Sequence, residues 1–378
     1  MEPISYEHIS PRRRRRRMMA IASSITAATL VTVAFGHAAA SAHGHRPSFG
    51  PQQQIELASN DTMGAATSTT AGPTTSTTTA TTATAAAAQM RDRTTLRFRT
   101  IDDSLDPTFN QLLGINDKGR IVGYYGSGAD AAHPNHGFRV LPPYDQRNFF
   151  GKDFPGAIQT QAVGVNNAAV VVGFYVDGAG ANIGFVAHGQ HYAPVANPAT
   201  SKTTPFNQLL GINNHGIAVG FFNDADGASH GYTYDTNMGT FTAVALPVQA
   251  DSVTATGIAD DGDVSGFYVQ DKVTRGFLLH HGSFHALSFG ARTNTQALGV
   301  NNADQVVGSY VDDVGATHGF LWSPGAKLVT VDDPNGAGGT VVNGLNNRGQ
   351  LVGFFTDAAG NTHGLLASMR MADDGAGR

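Results

Sequence analysis

Residues 299–310 read GVNNADQVVGSY, and residues 317–321 read THGFL. The same phrase occurs six times, and the glycines that begin its copies are Gly114, Gly164, Gly211, Gly257, Gly299 and Gly344. These repeat glycines are separated by 50, 47, 46, 42 and 45 residues. A period of this length is typical of repeat architectures, in which each copy builds one supersecondary unit. The phrase therefore decides the fold.

Each copy consists of short apolar runs separated by turn residues. In the first copy, the run 112–115 is followed by an Asn-Asp-Lys-Gly turn and by the run 121–125. Asn, Asp and Gly tolerate left-handed backbone angles and are typical of hairpins. The consecutive apolar residues of the second run indicate a strand that is buried on both faces. A second turn, the His-Gly-Phe run and a fourth run complete a unit of four strands.

Four short strands in about 45 residues match one blade of a β-propeller. We therefore predict an all-β, six-bladed β-propeller over residues 95–371, with a β-solenoid as the competing architecture. A glycine recurs inside the second strand of every copy, and it suggests close backbone approach between neighbours.

The two ends of the array predict a closed ring. The sixth copy has no clear fourth run, whereas residues 95–103 precede the first copy and resemble the fourth run of the fifth copy. We expect 95–103 to complete the last blade, which removes the free sheet edges that invite aggregation.

Residues 1–42 have the order of an export signal. Arginines at positions 12–17 precede a moderately apolar stretch over 18–35 and an Ala-Ser-Ala sequence at 40–42. This order predicts a signal peptide, and nucleic-acid binding is the alternative interpretation of the arginines. Paired arginines also fit twin-arginine export. We predict a secreted or periplasmic protein.

Residues 43–94 are rich in Thr and Ala and contain too little apolar surface to offset their ordering entropy. They predict a disordered linker, or a glycosylated spacer, and the Gly-rich residues 372–378 predict a flexible tail. The first 42 residues hold six of the 24 basic and two of the 29 acidic residues, so the remainder has a net charge of about −9. This balance disfavours nucleic acid and anionic membranes as partners. We expect no membrane span in the mature chain, and the absence of cysteine excludes disulfides.

Together, Gly-Ile/Val-Asn-Asn, Val-Val-Gly-Phe/Tyr and His-Gly-Phe resemble the repeats of the HAF family of extracellular repeat proteins. The resemblance covers residues 95–371, although His-Gly-Phe stands where His-Ala-Phe is usual. Ile183 and Arg275 replace the histidine in copies two and four. The resemblance implies a propeller-like repeat fold and export, and it implies no particular activity.

One histidine recurs at an equivalent position in four copies, as His136, His230, His318 and His363. Four imidazoles around a common axis could bind a ligand or a transition metal. Alternatively, each ring is bonded to turn groups of its own hairpin, such as Asp224 or Asp357.

Acidic turns provide candidate metal ligands. Asp224 and Asp226 lie in a turn that has some likeness to a calcium loop but lacks its later glutamate. Copy four has Asp260, Asp261 and Asp263 where other copies have Asn-Asn, and these could form a metal or acid–base site. The alternative for all five is ordinary turn chemistry, since Asp replaces Asn readily in tight turns.

The longest spacing, between copies one and two, places extra residues around Tyr144, which is therefore a candidate ligand contact in an asymmetric loop. No catalytic constellation stands out, and we predict no cofactor.

We expect a non-catalytic binding or scaffold module for an extracellular polymer, glycan or protein. The alternative is a hydrolase or lyase that acts on such a polymer at one mouth of the channel, since propellers support both. Converging titratable groups in one irregular copy would favour an enzyme, and similar shallow clefts in several blades would favour binding.

Overall fold

A computed structural model describes residues 94–289, 294–326 and 328–371. Its 24 β-strands form six four-stranded sheets, each of which is one blade of a six-bladed β-propeller. The prediction of an all-β propeller is confirmed. The predicted export signal, most of the predicted linker, and the tail lie outside the described residues.

Successive strands of a blade pair with one another along the chain. Blade 1 consists of β2 Asn110–Ile115, β3 Ile121–Tyr125, β4 His136–Val140 and β5 Phe149–Gly151. Blade 2 consists of β6 Gln159–Val165, β7 Val170–Val176, β8 Asn182–His188 and β9 His191–Val195. Blade 3 consists of β10 Asn207–Ile212, β11 Ile217–Asn223, β12 Ser229–Asp235 and β13 Thr240–Ala243. Blade 4 consists of β14 Ser252–Ile258, β15 Val264–Gln270, β16 Val273–His280 and β17 Ser283–Leu287. Blade 5 consists of β18 Thr295–Val300, β19 Val306–Val311, β20 Thr317–Trp322 and β21 Val329–Val331. Blade 6 consists of β22 Thr340–Leu345, β23 Gln350–Thr356 and β24 Thr362–Met371, with β1 Thr94–Thr100 as its fourth strand. The only other element among the described residues is a short 3-10 helix, Gln146–Asn148.

The first strand of each blade lines the axis, and its repeat glycine touches the repeat glycine of the next blade. A Cβ atom built on Gly257 would lie 2.9 Å from the Cα of Gly299. The same contact recurs between all neighbours and closes from Gly344 to Gly114, at 3.5 Å. Any side chain here would press two backbones apart, and this explains why the phrase begins with glycine.

The glycine of the second strand serves a different contact from the one expected. A Cβ on Gly123 would overlap the carbonyl oxygen of Gln111, which belongs to the first strand of the same blade. Each first strand also contains a bulge one residue before the repeat glycine. The bulge turns that residue towards the channel, where Leu113 and Asn343 are examples.

Six clusters of buried apolar side chains fill the six junctions between blades. The phenylalanine of His-Gly-Phe is their recurring member: Phe138, Phe185, Phe277 and Phe320 are at most 1% exposed. Burial of one such ring stabilises the fold by about 1.5–3 kcal/mol. The consecutive apolar residues of the second strands are thus explained by packing against a blade on each side.

The chain closes the ring as predicted. The strand β1 pairs with β24 and becomes the fourth strand of blade 6. Immediately after β1, the N–H of Ile101 donates to the carbonyl oxygen of Gly364 at 2.9 Å. Leu96 and Phe98 pack against the cluster between blades 5 and 6. Within the described ranges, no helix has the length and apolar character that a membrane span requires.

Candidate functional site

The turns between first and second strands meet around one mouth of the channel. In each turn, the backbone N–H of the second residue donates to the side-chain oxygen of the equivalent residue in the next blade, at 2.8–3.0 Å. These residues, which we call the amide ring, are Asp117, Asn167, Asn214, Asp260, Asn302 and Asn347. The cycle closes completely, because Asn347 donates to Asp117.

Asp117 and Asp260 are the two carboxylates of the amide ring, and they lie in blades 1 and 4. The Oδ2 atom of Asp117 accepts hydrogen bonds from the side-chain amides of Asn167, at 2.9 Å, and Asn347, at 3.1 Å. Asp260 accepts the equivalent pair, both at 2.9 Å. Burial alone would raise the pKa of each carboxyl, but these hydrogen bonds outweigh it and lower the pKa. Asp260, which the sequence suggested as a metal ligand, is therefore a member of the amide ring, and its carboxylate accepts hydrogen bonds from both neighbouring blades.

An inner cycle repeats this arrangement one residue earlier and is interrupted in blade 4. The side-chain amide of the first turn residue donates to a backbone carbonyl of the next blade, at 2.8–3.3 Å, for Asn116, Asn166, Asn213, Asn301 and Asn346. Blade 4 has Ala259 at this position and so has no amide to donate to blade 5. The symmetry of the mouth is broken between blades 4 and 5.

The four recurring histidines lie at the opposite end of the blades, each at or near the start of a third strand, and the structure does not bring them together. Each bonds to carboxylates of its own blade: His136 to Asp153 at 2.8 Å, His230 to Asp224 at 2.7 Å, His318 to Asp332 at 2.7 Å and Asp312 at 3.2 Å, and His363 to Asp102 at 2.8 Å and Asp357 at 3.3 Å. The hydrogen bond to Asp332 raises the pKa of His318. For His363, burial lowers the pKa, but Asp102 and Asp357 outweigh it and raise the pKa.

Asp224 and Asp226 shape the turn before His230. One carboxylate oxygen of Asp224 accepts the backbone N–H groups of Asp226 and Ala228, at 2.9 and 3.0 Å, and the other bonds to His230. Both oxygens of Asp224 thus have partners inside the turn. Asp226 is exposed at its tip.

Tyr144 lies in the loop between β4 and β5, where blade 1 meets the closing strand. Its hydroxyl donates to the carbonyl oxygen of Gly119 at 2.8 Å. The guanidinium of Arg99, on β1, lies 5.3 Å from the centroid of the Tyr144 ring and donates to the carbonyl oxygen of Pro143 at 2.7 Å. The extra residues of the first copy therefore fasten the closing strand.

Three basic residues, which we call the basic cluster, share the face of blade 1 that packs towards blade 2. Arg120 directly precedes β3, Arg139 pairs with Val122 on that face, and Lys152 follows β5. Diagonal neighbours on paired strands lie about 7–8 Å apart with their side chains on one face. The Lys152 ammonium donates to the carbonyl oxygen of Gly189 in blade 2. None of the three would have been grouped from the sequence, because they lie in or next to three different strands.

The described structure provides no carboxylate partner for this cluster. The Nε atoms of Arg120 and Arg139 are buried without a hydrogen-bond partner among the described residues. Burial lowers the pKa of Lys152, and repulsion by both arginines lowers it further. Burial and repulsion by Arg139 likewise lower the pKa of Arg120. The cluster holds positive charge that an anion could neutralise.

Two aromatic rings border the basic cluster. The guanidinium of Arg139 lies 4.9 Å from the centroid of Phe150, which is 41% exposed, and the ammonium of Lys152 lies 5.7 Å from that of Tyr192 in blade 2. Cations above ring faces gain electrostatic attraction and are held in place. The junction of blades 1 and 2 thus combines cations with aromatic surface.

A second cluster lies at the junction of blades 4 and 5. We call it the His–Asp cluster: Asp263, His280, His281 and Asp304. Asp263 is 1% exposed, and its Oδ2 atom lies 2.6 Å from Nδ1 of His280. Its Oδ1 atom accepts the backbone N–H of His281 at 2.8 Å and lies 3.6 Å from Nδ1 of that histidine. From blade 5, Oδ1 of Asp304 lies 3.4 Å from Nδ1 of His280. Asp261, in the same turn, is exposed.

The charges of the His–Asp cluster are mutually dependent. Burial would raise the pKa of Asp263, but hydrogen bonds from His281 and His280 outweigh it and lower the pKa. The hydrogen bond to Asp263 raises the pKa of His280, while burial and the proximity of Asp263 raise the pKa of Asp304. The sequence pointed to Asp261 and Asp263 but missed the histidines and Asp304. An alignment of the six copies could have found Asp304, because most copies have glycine at its position.

Comparison with known proteins identifies no family for this chain. No protein-family model and no curated protein matches the chain. Among solved structures, a virginiamycin B lyase from Staphylococcus aureus is 9% identical, with a TM-score of 0.41, over 73% of this chain and 99% of that one. The AofleA protein from Arthrobotrys oligospora, as a mutant, is 9% identical, with a TM-score of 0.46, over 73% of this chain and 89% of that one. A fucose-specific lectin from Aleuria aurantia is 11% identical, with a TM-score of 0.41, over 74% of this chain and 95% of that one.

Proposed function

We propose that this protein is an exported, non-catalytic binding module that recognises an acidic polysaccharide through its basic cluster. Export to the periplasm or the cell exterior is supported by the order of basic, apolar and small residues in positions 1–42. The chain would then meet polymers of the cell surface or its surroundings. Resemblance to the HAF repeats agrees with this location.

The observation that carries the proposal is the uncompensated charge of Arg120, Arg139 and Lys152. In a chain whose residues after position 42 are acidic overall, these three cations share one face, and burial together with repulsion within the cluster lowers the pKa of Lys152 and of Arg120. Removing one partner of a buried charge is destabilising, so two guanidinium groups whose Nε atoms are buried without a partner among the described residues favour an anionic ligand. A carboxylate or sulfate matches the planar donor fork of arginine, and such charge-assisted hydrogen bonds are strong.

The surroundings of the cluster favour a sugar polymer over an isolated ion. Phe150 and Tyr192 present ring faces beside the cations, and Phe150 is partly exposed. Apolar faces of sugar rings pack on such surfaces while acidic substituents reach the arginines. The site reaches the surface at Phe150, which is 41% exposed, so a polymer chain longer than the site can pass across it.

The test measures binding of polygalacturonate by the purified full chain, with neutral dextran as the reference polymer. We expect the double variant Arg120→Gln, Arg139→Gln to lose about tenfold or more in affinity, since a charge-assisted hydrogen bond contributes about 1.5–3 kcal/mol. Arg147→Gln is the matched control, because this exposed arginine of the same blade already pairs with Asp145. Equal binding of dextran, or unchanged binding by the double variant, would contradict the proposal.

A hydrolase or lyase acting on the polymer is the second candidate. It is favoured by the His–Asp cluster, in which a buried carboxylate and two imidazoles converge where the repeat is irregular. Release of new reducing ends or of unsaturated products from polygalacturonate would support it. Such release should disappear in His280→Gln, while loss of binding alone would follow from the basic-cluster variant.

A further inference from the structure

We propose that the His–Asp cluster is a binding site for a zinc-class divalent metal ion, with His280, His281, Asp263 and Asp304 as its ligands. This site is separate from the basic cluster and does not depend on polymer binding. It joins blade 4 to blade 5 at the side of the channel mouth where the inner amide cycle is interrupted by Ala259.

The ligand atoms already converge. The atoms of Asp263, His280 and His281 lie within 4.8 Å of one another, as do those of Asp261, Asp263 and Asp304. Around a tetrahedral zinc ion with bonds of about 2.0–2.1 Å, neighbouring ligand atoms stand about 3.3 Å apart. Nδ1 of His280 lies 3.4 Å from Oδ1 of Asp304, and Nδ1 of His281 lies 3.6 Å from Oδ1 of Asp263. Both distances are close to the one expected between neighbouring zinc ligands.

The donor set selects the kind of metal. Two imidazoles with two carboxylates suit zinc and its transition-metal neighbours, whereas calcium and magnesium prefer oxygen ligands alone. The 2.6 Å contact between His280 and Asp263 is a hydrogen bond whose shared proton the ion would replace. Binding therefore releases that proton, as expected when a metal displaces a proton from an imidazole.

Two of the four ligands occupy backbone positions at which other blades have glycine. Asp304 has φ of 57°, and the equivalent residues Gly119, Gly216, Gly262 and Gly349 have φ between 71° and 94°. His281 has φ of 47° at the first position of its hairpin turn, where blade 2 has Gly189. Non-glycine residues are uncommon in this left-handed region.

The two replacements bring their side chains to the same buried carboxylate from different blades. Asp304 comes from the first turn of blade 5 and His281 from the outer hairpin of blade 4, yet both meet at Asp263 and His280. The three side chains around Asp263 remain partly exposed, with values of 36%, 63% and 28% for His280, His281 and Asp304. An ion thus has a path from solvent to a carboxylate that is itself buried.

The test uses the full chain after dialysis against a chelator. Titration calorimetry with Zn²⁺ should show one strong site per chain, and Co²⁺ should give the intense visible absorption of a four-coordinate site. The variants His281→Gly and Asp304→Gly place at each position the residue of an equivalent turn, so both should fold. We expect each to weaken Zn²⁺ binding by about tenfold or more and to remove the Co²⁺ spectrum, because each deletes one of four ligands.

The control variant is His191→Ala, which removes an exposed histidine from the corresponding hairpin of blade 2 and should leave Zn²⁺ binding unchanged. Histidines at positions 37, 43 and 45 offer other imidazoles. Binding that survives unchanged in both glycine variants would therefore come from elsewhere and would overturn the proposal. Absence of a strong site in the unmodified chain would overturn it as well.

Discussion

Blades 1 and 4 stand opposite each other in the ring, share one scaffold and carry opposite chemistry. Six residues after the repeat glycine, blade 1 has Arg120 and blade 4 has Asp263, whereas the other blades have Val170, Ile217, Gln305 and Gln350. Arg120 lies with two further cations, and Asp263 lies with two imidazoles and a second carboxylate. One position of the repeat thus begins a basic site in one blade and an acidic site in the other.

The difference shows where this scaffold can vary. The amide ring uses the hydrogen-bonding groups of the residue three positions earlier, and blades 1 and 4 both contribute to it through Asp117 and Asp260. The position after the turn faces a junction between blades instead of the ring. A charged residue there changes the junction while the ring stays intact.

The largest effect should come from the glycines that the two blades share. In Gly114→Ala, the new Cβ would lie 2.5 Å from the carbonyl oxygen of Val163, which the backbone holds in place. In Gly257→Ala, the nearest atom is Oγ of Ser265, at 2.6 Å, which can rotate, although the Cα of Gly299 follows at 2.9 Å. Overpacking of this kind lowers the free energy of unfolding by about 1–3 kcal/mol, or more where backbone must move. Urea unfolding should show the larger loss for Gly114→Ala, and a larger loss for Gly257→Ala would contradict this reading of the contacts.

The next largest effect should distinguish Asp263 of blade 4 from Arg120 of blade 1 by their contributions to the free energy of unfolding. Asp263→Ala removes the acceptor for His281 and His280, so we expect the free energy of unfolding to fall by about 2 kcal/mol or more in chelator-containing buffer. Arg120→Ala removes a cation that is repelled by its neighbours, so the change should stay within about 0.5 kcal/mol. Denaturant midpoints measured side by side provide the comparison. Similar losses in both variants would mean that Arg120 has a partner which the described residues do not show.

The two carboxylates of the amide ring, Asp117 in blade 1 and Asp260 in blade 4, should contribute equally to the stability of the fold. Asp117→Asn and Asp260→Asn each place an amide nitrogen against two amide donors, and we expect each to destabilise the fold by about 1 kcal/mol. Because the folded-state pKa of both aspartates is lowered, their stabilising contribution is complete above the unfolded pKa of about 3.9 and is lost as the pH falls through the folded value. Thermal unfolding between pH 7 and pH 2.5 should therefore show a shallower acid dependence in both variants. A clear inequality between them would indicate that the ring differs at its two carboxylates.

The smallest effect concerns the basic cluster alone. Sulfate should raise the melting temperature of the unmodified protein by about 1 °C more than chloride of equal ionic strength, because an ion that binds only the folded state stabilises it. Sulfate also stabilises folded proteins by its exclusion from their surface, so the Arg120→Gln, Arg139→Gln variant should show a smaller difference, and His281→Gly should keep the full one. Differential scanning calorimetry resolves shifts of this size.

The sequence alone predicted some features of the structure and missed others, and particular residues show why. The six repeat glycines, the Asn-rich turns and the resemblance of 95–103 to a fourth strand gave blade number and closure, because each is a local pattern repeated along the chain. The hydrogen bond between His318 and Asp332 and the proximity of Arg120 to Arg139 could not be predicted. Both depend on strand register and on which face of a strand a side chain occupies. Asp304 is a clearer case: it acts in the neighbouring blade, and a pattern confined to one copy does not reveal contacts across a junction.

The closing strand also means that the ring has no structural beginning. The end of β1 lies beside the start of β24, so the first residues of β1 lie towards the end of β24. Residues 94–100 could therefore follow residue 371 through a short hairpin and occupy the same place in blade 6. Blade 6 would then be built from consecutive residues, as the other five are, and the chain could be opened between any two blades. The circular arrangement of the blades therefore does not depend on which blade comes first along the chain.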